Sequence, residues 1–137
     1  GEPRRRFNVP HSKKAYAMIE IQRFGPSPYS PTRGRTVVYN GVATTVATAS
    51  TKSPSLYEQA REALGAVDRN LAEAGTDKSR VLTVMVYVAD IRGKPEFNRA
   101  WDEWVDRDNL PMRACLGVQL EGDDLVELVV TAAVDQG

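Results

Sequence analysis

Two segments of the chain are almost continuously apolar, and they constrain the fold more than any other feature. Residues 81–88 read VLTVMVYV and residues 125–134 read LVELVVTAAV, so neither segment offers a polar face to water. Strands of this composition are typical of a sheet that is covered on both faces. The two helical segments of the chain can cover only one face. We therefore expect an obligate homo-oligomer that packs sheet against sheet.

The first helix is predicted to begin near residue 53 and to end at Gly75. Ser53 is a candidate N-cap with Pro54 at the first helical position, whereas Ser55 and Glu58 would form a capping box slightly later. Apolar residues then recur at helical spacing on one face, namely Leu56, Ala60, Ala63, Leu64, Val67, Leu71 and Ala74. Gly75 is a typical residue just past a helix end.

The remaining segments complete the order β-β-α-β-α-β-β of an α+β domain. The second helix is predicted at residues 94–109, and the strands at residues 19–24, 36–40, 80–90, 112–120 and 125–134. The proline-rich residues 25–34 are predicted to form a loop, and the small polar residues 43–53 a loop with some extended character. The Gly-Asp pair within residues 121–124 favours a tight hairpin between the last two strands.

Charge is unevenly distributed, although the 137 residues carry 18 basic and 18 acidic side chains. Residues 1–17 hold five Lys or Arg against one Glu, and the rest of the chain holds 13 against 17. We interpret residues 1–17 as a basic flexible leader, either a tag remnant or a native arm, and residues 18–137 as one domain. The acidic body is a poor electrostatic match for nucleic acid. The sequence has no run of 18 apolar residues, which is the length that would predict a membrane span.

The single cysteine, Cys115, and the single histidine, His11, narrow the chemistry. A lone cysteine cannot form an internal disulfide, so a reducing, cytoplasmic location is expected. One histidine cannot build a histidine-rich metal site. It also excludes a Ser-His or Cys-His couple, unless the histidine of the leader takes part.

Arg113 and Glu127 are the two charged residues inside the last two apolar strands. Arg113 fits either a surface ion pair at a strand edge or a two-pronged clamp for the carboxylate of a small ligand. Glu127 has apolar neighbours on both sides, so its carboxylate needs a partner there. That partner is either Arg113, in a structural ion pair across the predicted hairpin, or a water or proton involved in catalysis.

Weaker candidates lie near these two residues in the chain. Cys115 is two residues after Arg113 and therefore on the same face of the strand. A lone cysteine is usually a core residue, and without a histidine base we favour a site-lining role over a nucleophile. Tyr29 lies in the proline-rich loop, where loop packing would ordinarily explain it. Asn98 lies in the second helix, where it would ordinarily be solvated.

The ordered set of motifs resembles the Rid (YjgF/YER057c/UK114) family. The resemblance rests on "GPSPYS", "VVYNG", "EFNRAWDEWV" and "PMRACLGVQL…DDLVELVVTAAV", and it covers about residues 19–134. It implies a chorismate-mutase-like α+β fold with two helices on one face, and a homotrimer around an inner β-barrel. It also implies hydrolytic deamination of reactive enamines and imines, such as 2-aminoacrylate or 2-iminopropanoate, to a 2-keto acid and ammonia, without metal or cofactor.

The resemblance also implies roles for individual residues. Arg113 would hold the substrate carboxylate, Glu127 would place the attacking water, the backbone at Cys115 would orient it, and Tyr29 would close over the site. The remaining substrate-binding positions would be Asn40, Gly41, Asn98 and Ala114.

Residues 40–42 depart from the Ser-Gly-Gln pattern that is usual in the family, since they read Asn-Gly-Val. This change bears on the identity of the substrate more than on the reaction class. Larger enamines are therefore alternative substrates. A non-catalytic trimer that binds keto or amino acids is the alternative. The RNA-cleaving activity attached to some relatives fits poorly with the acidic body and the missing histidine base.

Overall fold

The computed structural model describes residues 19–135, and the predicted leader lies outside the described residues. Six strands form one sheet, and two helices pack on one of its faces. In chain order the elements are β1 Gln22–Phe24, β2 Thr36–Tyr39, β3 Val42–Thr48, α1 Leu56–Glu73, β4 Val81–Val88, α2 Lys94–Trp104, β5 Met112–Gly117 and β6 Val126–Ala133. The α+β class and the placement of both helices on one face are confirmed.

The strand order is β1-β2-β3-β6-β4-β5, with β5 parallel to β4 and all other pairs antiparallel. The predicted hairpin between the last two strands is therefore wrong, because β4 lies between β5 and β6. Residues 118–125 instead connect the two strands around the end of β4. A turn signal in the sequence does not indicate whether a third strand lies between the two strands that the turn connects.

The strand β3 is the second difference, because residues 43–53 were predicted to be a loop and the predicted order lacked one strand. Ala43, Thr45 and Ala47 point toward the helices and are buried, and the residues between them are exposed. The Thr45 hydroxyl bonds with the buried Thr36 hydroxyl at 2.8 Å and with the Arg35 carbonyl at 2.8 Å. These small inward-facing residues allow α1 to pack on β3, and they leave only a weak apolar signal in the sequence.

The helix α1 begins at the later of the two predicted positions. The Ser55 side chain accepts a hydrogen bond from the Glu58 amide at 3.2 Å, which identifies Ser55 as the N-cap. At the other end, the Thr76 amide donates to the Leu71 carbonyl at 2.9 Å across Gly75, whose φ of +88° is readily adopted only by glycine. The end predicted at Gly75 is confirmed.

The core lies between the helices and the sheet. Its largest fully buried side chains include Phe97 and Leu64 from the helices and Leu128, Val84 and Val130 from the two central strands. Each such side chain stabilises the fold by roughly 1.5–3 kcal/mol through burial. The sequence predicted a sheet that is covered on both faces. The helices cover one of these faces, and the apolar residues of β4 and β6 that point toward the helices are buried there.

The opposite face of the sheet carries exposed apolar residues from β2, β3 and β5. Val37, Tyr39, Val42, Val46 and Met112 are between 36% and 58% exposed there. Thr83 and Thr131 share a hydrogen bond of 2.6 Å on this face, so it is not uniformly apolar. We call this surface the open face. The apolar character of the open face is confirmed, and its coverage by another copy stays a prediction.

Candidate functional site

Arg113 lies on β5, opposite Val84 and on the side of the sheet that faces the helices. Its Cζ atom lies 5.1 Å from the centroid of the Trp101 ring and 5.5 Å from that of Phe97. The side chain is half-buried, and no hydrogen bond or ion pair joins it to another residue in the range 19–135. The guanidinium is therefore held by aromatic rings of α2 while its donors stay free for an anion.

Cys115 shares a strand with Arg113, and Asn98 is the residue after Phe97, whose ring lies near Arg113. Cys115 follows on the same face of β5 and packs against the core cluster. Asn98 follows Phe97 in α2, and its Oδ1 atom is buried without a hydrogen-bond partner among the described residues. Buried acceptors are usually hydrogen-bonded, so the Asn98 Oδ1 atom stands out within residues 19–135.

Glu127 lies on the open face, because its neighbours Val126 and Leu128 are buried toward the helices. It pairs in register with Thr48 on one side and Tyr87 on the other. Glu127 is half-buried and has no ion pair or hydrogen bond to another residue of the described chain.

The structural ion pair between Arg113 and Glu127, one of the two interpretations drawn from the sequence, is therefore wrong. The two side chains are on opposite faces of the sheet, and β4 separates their strands. The interpretation depended on a hairpin that does not form. A site that uses both residues cannot be built from these two side chains of a single protomer.

Tyr29 stands at the tip of the proline-rich loop. Its hydroxyl donates to the Ala49 carbonyl at 3.4 Å, and the Lys52 ammonium lies 5.3 Å from the centroid of its ring. Ala49 directly follows Thr48, which pairs with Glu127, and Lys52 lies three residues after Ala49. Tyr29 and Glu127 are thus placed at the same end of the sheet.

Asn40 and Gly41 form the turn between β2 and β3 at the other end of the sheet. Their φ angles are +51° and +83°, a conformation that Asn and Gly adopt most easily. The strand β3 has seven residues, so about 20 Å separates this turn from the end that holds Glu127. Ala114 lies on the open face of β5 opposite Met85. The eight predicted site residues are therefore spread over both faces and both ends of the sheet.

A cavity of about 580 Å³ opens at the end of the sheet where β3, β4 and β5 finish and β6 begins, and Lys52, which contacts the Tyr29 ring, is one of its lining residues. Its lining includes Lys52, Pro54, Ala89, Leu120, Asp124 and Leu125. The Lys52 ammonium and the Asp124 carboxylate form an ion pair of 2.5 Å across it. Lys52 was not predicted as a site residue, since nothing in the local sequence distinguishes it from a solvated lysine.

The walls of this cavity are tied to α1. The fully buried Gln59 side chain donates to the carbonyls of Ser53 and Asp123 at 2.8 and 3.0 Å, and it accepts from the Leu125 amide at 2.9 Å. Gln59 was also missed, although a polar residue inside the apolar stripe of α1 was a visible signal in the sequence.

Glu62 of α1 holds the residues that directly precede Lys52. It accepts from the Thr51 hydroxyl at 2.5 Å and from the Thr51 amide at 2.8 Å, and these bonds lower the pKa of its carboxyl group.

No group of three or more metal-binding side chains exists within residues 19–135, and no helix of that range is long and apolar enough to cross a membrane.

The sequence and the fold of the chain are similar to those of known proteins. The sequence model of the family described as endoribonuclease L-PSP matches residues 21–134. The chain belongs to this family. A RutC family protein from Haemophilus ducreyi is 41% identical over 100 residues, which are 72% of this chain and 86% of the relative. The YoaB member of the RutC family from Escherichia coli is 32% identical over 79 residues, 57% of this chain and 69% of the relative.

Solved structures agree with this assignment. A YjgF family member from Neisseria meningitidis superimposes with a TM-score of 0.78 at 31% identity, covering 86% of this chain and 98% of the other. The Rid family protein YyfA of Yersinia pestis, whose function is unknown, has a TM-score of 0.78 at 19% identity over 84% of this chain and 100% of the other, and it supports the fold alone. The Rid/YjgF relationship indicated by the sequence motifs is confirmed.

Proposed function

We propose that the protein hydrolyses imines or enamines that carry a carboxylate, and releases a 2-keto acid and ammonia. Family membership suggests this activity or a related one. The observation that carries the proposal is the state of Arg113. Its guanidinium is half-buried against two aromatic rings and has no anionic partner among residues 19–135. A planar fork of free donors in such surroundings suits a carboxylate that binds through two parallel hydrogen bonds.

The reaction needs placement of groups more than a strong nucleophile. The carbon of a protonated imine is already electrophilic, so a water held beside it attacks readily. In our proposal the Glu127 carboxylate takes a proton from that water as the carbon–oxygen bond forms. The backbone at Cys115 orients the water, and Tyr29 closes over the substrate. Glu127 returns this proton to the amine of the resulting carbinolamine, the carbon–nitrogen bond breaks to release ammonia, and the hydroxyl loses its proton to leave the keto acid. No metal or cofactor takes part.

The complete site, in this proposal, forms between copies of the chain in a homotrimer with an inner β-barrel. Two observations support this. Arg113 and Glu127 lie on opposite faces of the sheet, so one protomer cannot bring them to one ligand. The open face also exposes several large apolar side chains that a second copy would cover. Asn40, Gly41, Asn98 and Ala114 would line the pocket from the two copies, and Asn98 Oδ1 would gain its missing donor there.

A coupled assay tests the function directly. An amino acid oxidase or a lyase generates 2-aminoacrylate or a bulkier imino acid in situ, and loss of the imine is followed with wild type and with Arg113→Ala. We expect acceleration by wild type and none by Arg113→Ala, at an unchanged oligomer size. Arg69→Ala, at an exposed arginine of α1 and therefore away from the open face, is the matched control and should keep full activity.

The non-catalytic binder is the competing outcome. Glu127→Gln separates the two functions, since a catalytic carboxylate is needed for turnover but not for binding. Loss of turnover with retained keto acid binding supports the deaminase. Keto acid binding at Arg113 by a wild type that accelerates no imine loss would establish the binder instead. The cytoplasmic location inferred from the lone cysteine stays a prediction.

A further inference from the structure

The Lys52 ammonium is a junction of three loops. It donates to the Ala49 carbonyl at 2.7 Å, pairs with the Asp124 carboxylate at 2.5 Å, and faces the ring of Tyr29 at 5.3 Å from the ring centroid. These partners belong to the loop after β3, the loop between β5 and β6, and the proline-rich loop. The Asp124 side chain is only 17% exposed, so the ion pair is better shielded from solvent than a typical surface pair.

Tyr29 depends on this junction for its position. Within residues 19–135, its polar and cation–π contacts outside its own loop go to Ala49 and Lys52. The hydroxyl contact with Ala49 is long, at 3.4 Å, and the same carbonyl accepts the shorter bond from Lys52. The Tyr29 side chain is itself 53% exposed, so packing alone does not hold the ring.

The support beneath Lys52 is rigid. The Glu62 carboxylate of α1 holds the amide and hydroxyl of Thr51, and it is 3.4 Å from the Ser50 hydroxyl. On the other side, buried Gln59 fixes the carbonyl of Asp123, next to the carboxylate that pairs with Lys52. The ammonium is therefore held at a fixed point by α1, and the proline-rich loop is the part whose position depends on it.

We propose that Lys52 is a positioning residue, which holds Tyr29 at the edge of the cavity so that the proline-rich loop is closed over the substrate. This inference rests on the proposed deaminase function and extends it to a residue outside the family motifs. Lys52 acts through Tyr29 and does not contact the reacting atoms. Its removal should therefore weaken substrate capture, seen in KM, more than the chemical step, seen in kcat.

The first test measures the loop without any substrate. Amide hydrogen exchange of residues 25–34 is compared between wild type, Lys52→Met and Lys52→Arg. We expect about fivefold faster exchange in Lys52→Met, because the loop then loses the cation–π contact that joins Tyr29 to Lys52. Lys52→Arg retains a cation and should stay within twofold of wild type.

The control is Lys78→Met, because Lys78 makes the same kinds of contact elsewhere. Its ammonium donates to the Trp104 carbonyl at 2.7 Å and lies 5.5 Å from the centroid of the Trp104 ring. This substitution should leave the exchange of residues 25–34 unchanged. Equal exchange of that loop in Lys52→Met and wild type would overturn the inference.

The second test is a double-mutant cycle on turnover. We expect Lys52→Met to raise KM about fivefold with kcat nearly unchanged, Lys52→Arg to restore most of the loss, and Lys52→Met to add less than twofold in a Tyr29→Ala background. Additive effects would show that Lys52 acts independently of Tyr29, against the inference. A wild type that accelerates no imine loss would defeat the proposed function, and changed exchange would then mark Lys52 as a loop anchor without a catalytic role.

Discussion

Gln59 offers the sharpest test of how the cavity end of the sheet is held together. Its side chain is fully buried, and it makes three hydrogen bonds to the backbone, with Ser53, Asp123 and Leu125. These bonds connect the start of α1 to the loop that leads into β6. Gln59→Met keeps the length and most of the volume of the side chain but can form none of the three bonds.

The expected loss follows from these contacts. A typical intramolecular hydrogen bond contributes about 1 kcal/mol net, so three bonds predict a loss of roughly 3 kcal/mol in the free energy of unfolding. Burial of a thioether in place of a polar amide offsets part of this, while the backbone groups left without a partner increase it. We expect a value of about 2–4 kcal/mol, which is a large fraction of the roughly 5–15 kcal/mol that is typical of total stability.

Urea unfolding followed by tryptophan fluorescence measures this difference. Wild type and variant are compared at the same protomer concentration, because the stability of the proposed trimer would depend on concentration. Gln119→Met is the matched control, since Gln119 is exposed in the same loop region, and it should change stability by less than about 0.5 kcal/mol. A loss below about 1 kcal/mol for Gln59→Met would refute the view that this amide holds the two segments together.

Three further predictions concern local features. Ser55→Ala should reduce the free energy of unfolding by about 1 kcal/mol in a denaturation series, since the Glu58 amide loses its cap; an unchanged midpoint would argue against this N-cap. Gly75→Ala should cost about 1–2 kcal/mol, because the open space around it leaves only the φ of +88° to oppose a side chain; a neutral result would contradict that conformation. Hydrogen bonds from Arg92 lower the pKa of Asp90 from 3.8 to about 2. The stabilising contact between the two side chains is therefore fully present above pH 3.8 and is lost as the pH falls toward 2. Carboxyl carbon NMR should show that pKa rising toward 3.8 in Arg92→Gln, and a constant value would exclude Arg92 as the cause.

Several parts of the fold were predictable because their signals are local. The apolar stripe of α1 repeats at the helical period, and Gly75 marks its end at a position where the backbone needs a positive φ. The run VLTVMVYV has the apolar content of a central strand. In each case, residues a few positions apart in sequence are also neighbours in space, so the pattern can be recognised without knowledge of the rest of the fold.

The errors share one physical origin. The strand β3 was missed because Ala43, Thr45 and Ala47 are small, and only the approach of α1 makes small residues the right choice there. The hairpin was predicted from the Gly-Asp pair, but β4 occupies the place beside β6 that the hairpin required for β5. Both decisions depend on partners that are distant in sequence, and local turn or strand signals carry no information about them.

The sequence by itself determined the chemistry available to this protein, namely an arginine and a glutamate within apolar strands, one cysteine, one histidine and a second apolar face of the sheet. The tertiary structure decided where that chemistry lies. The pairing of β4 with both β5 and β6 places Arg113 and Glu127 on opposite faces, and the junction at Lys52 brings three separate loops to Tyr29. Side-chain direction alternates along each strand and strand order is set by long-range packing, so the faces and neighbours of these residues exist only once the sheet has assembled.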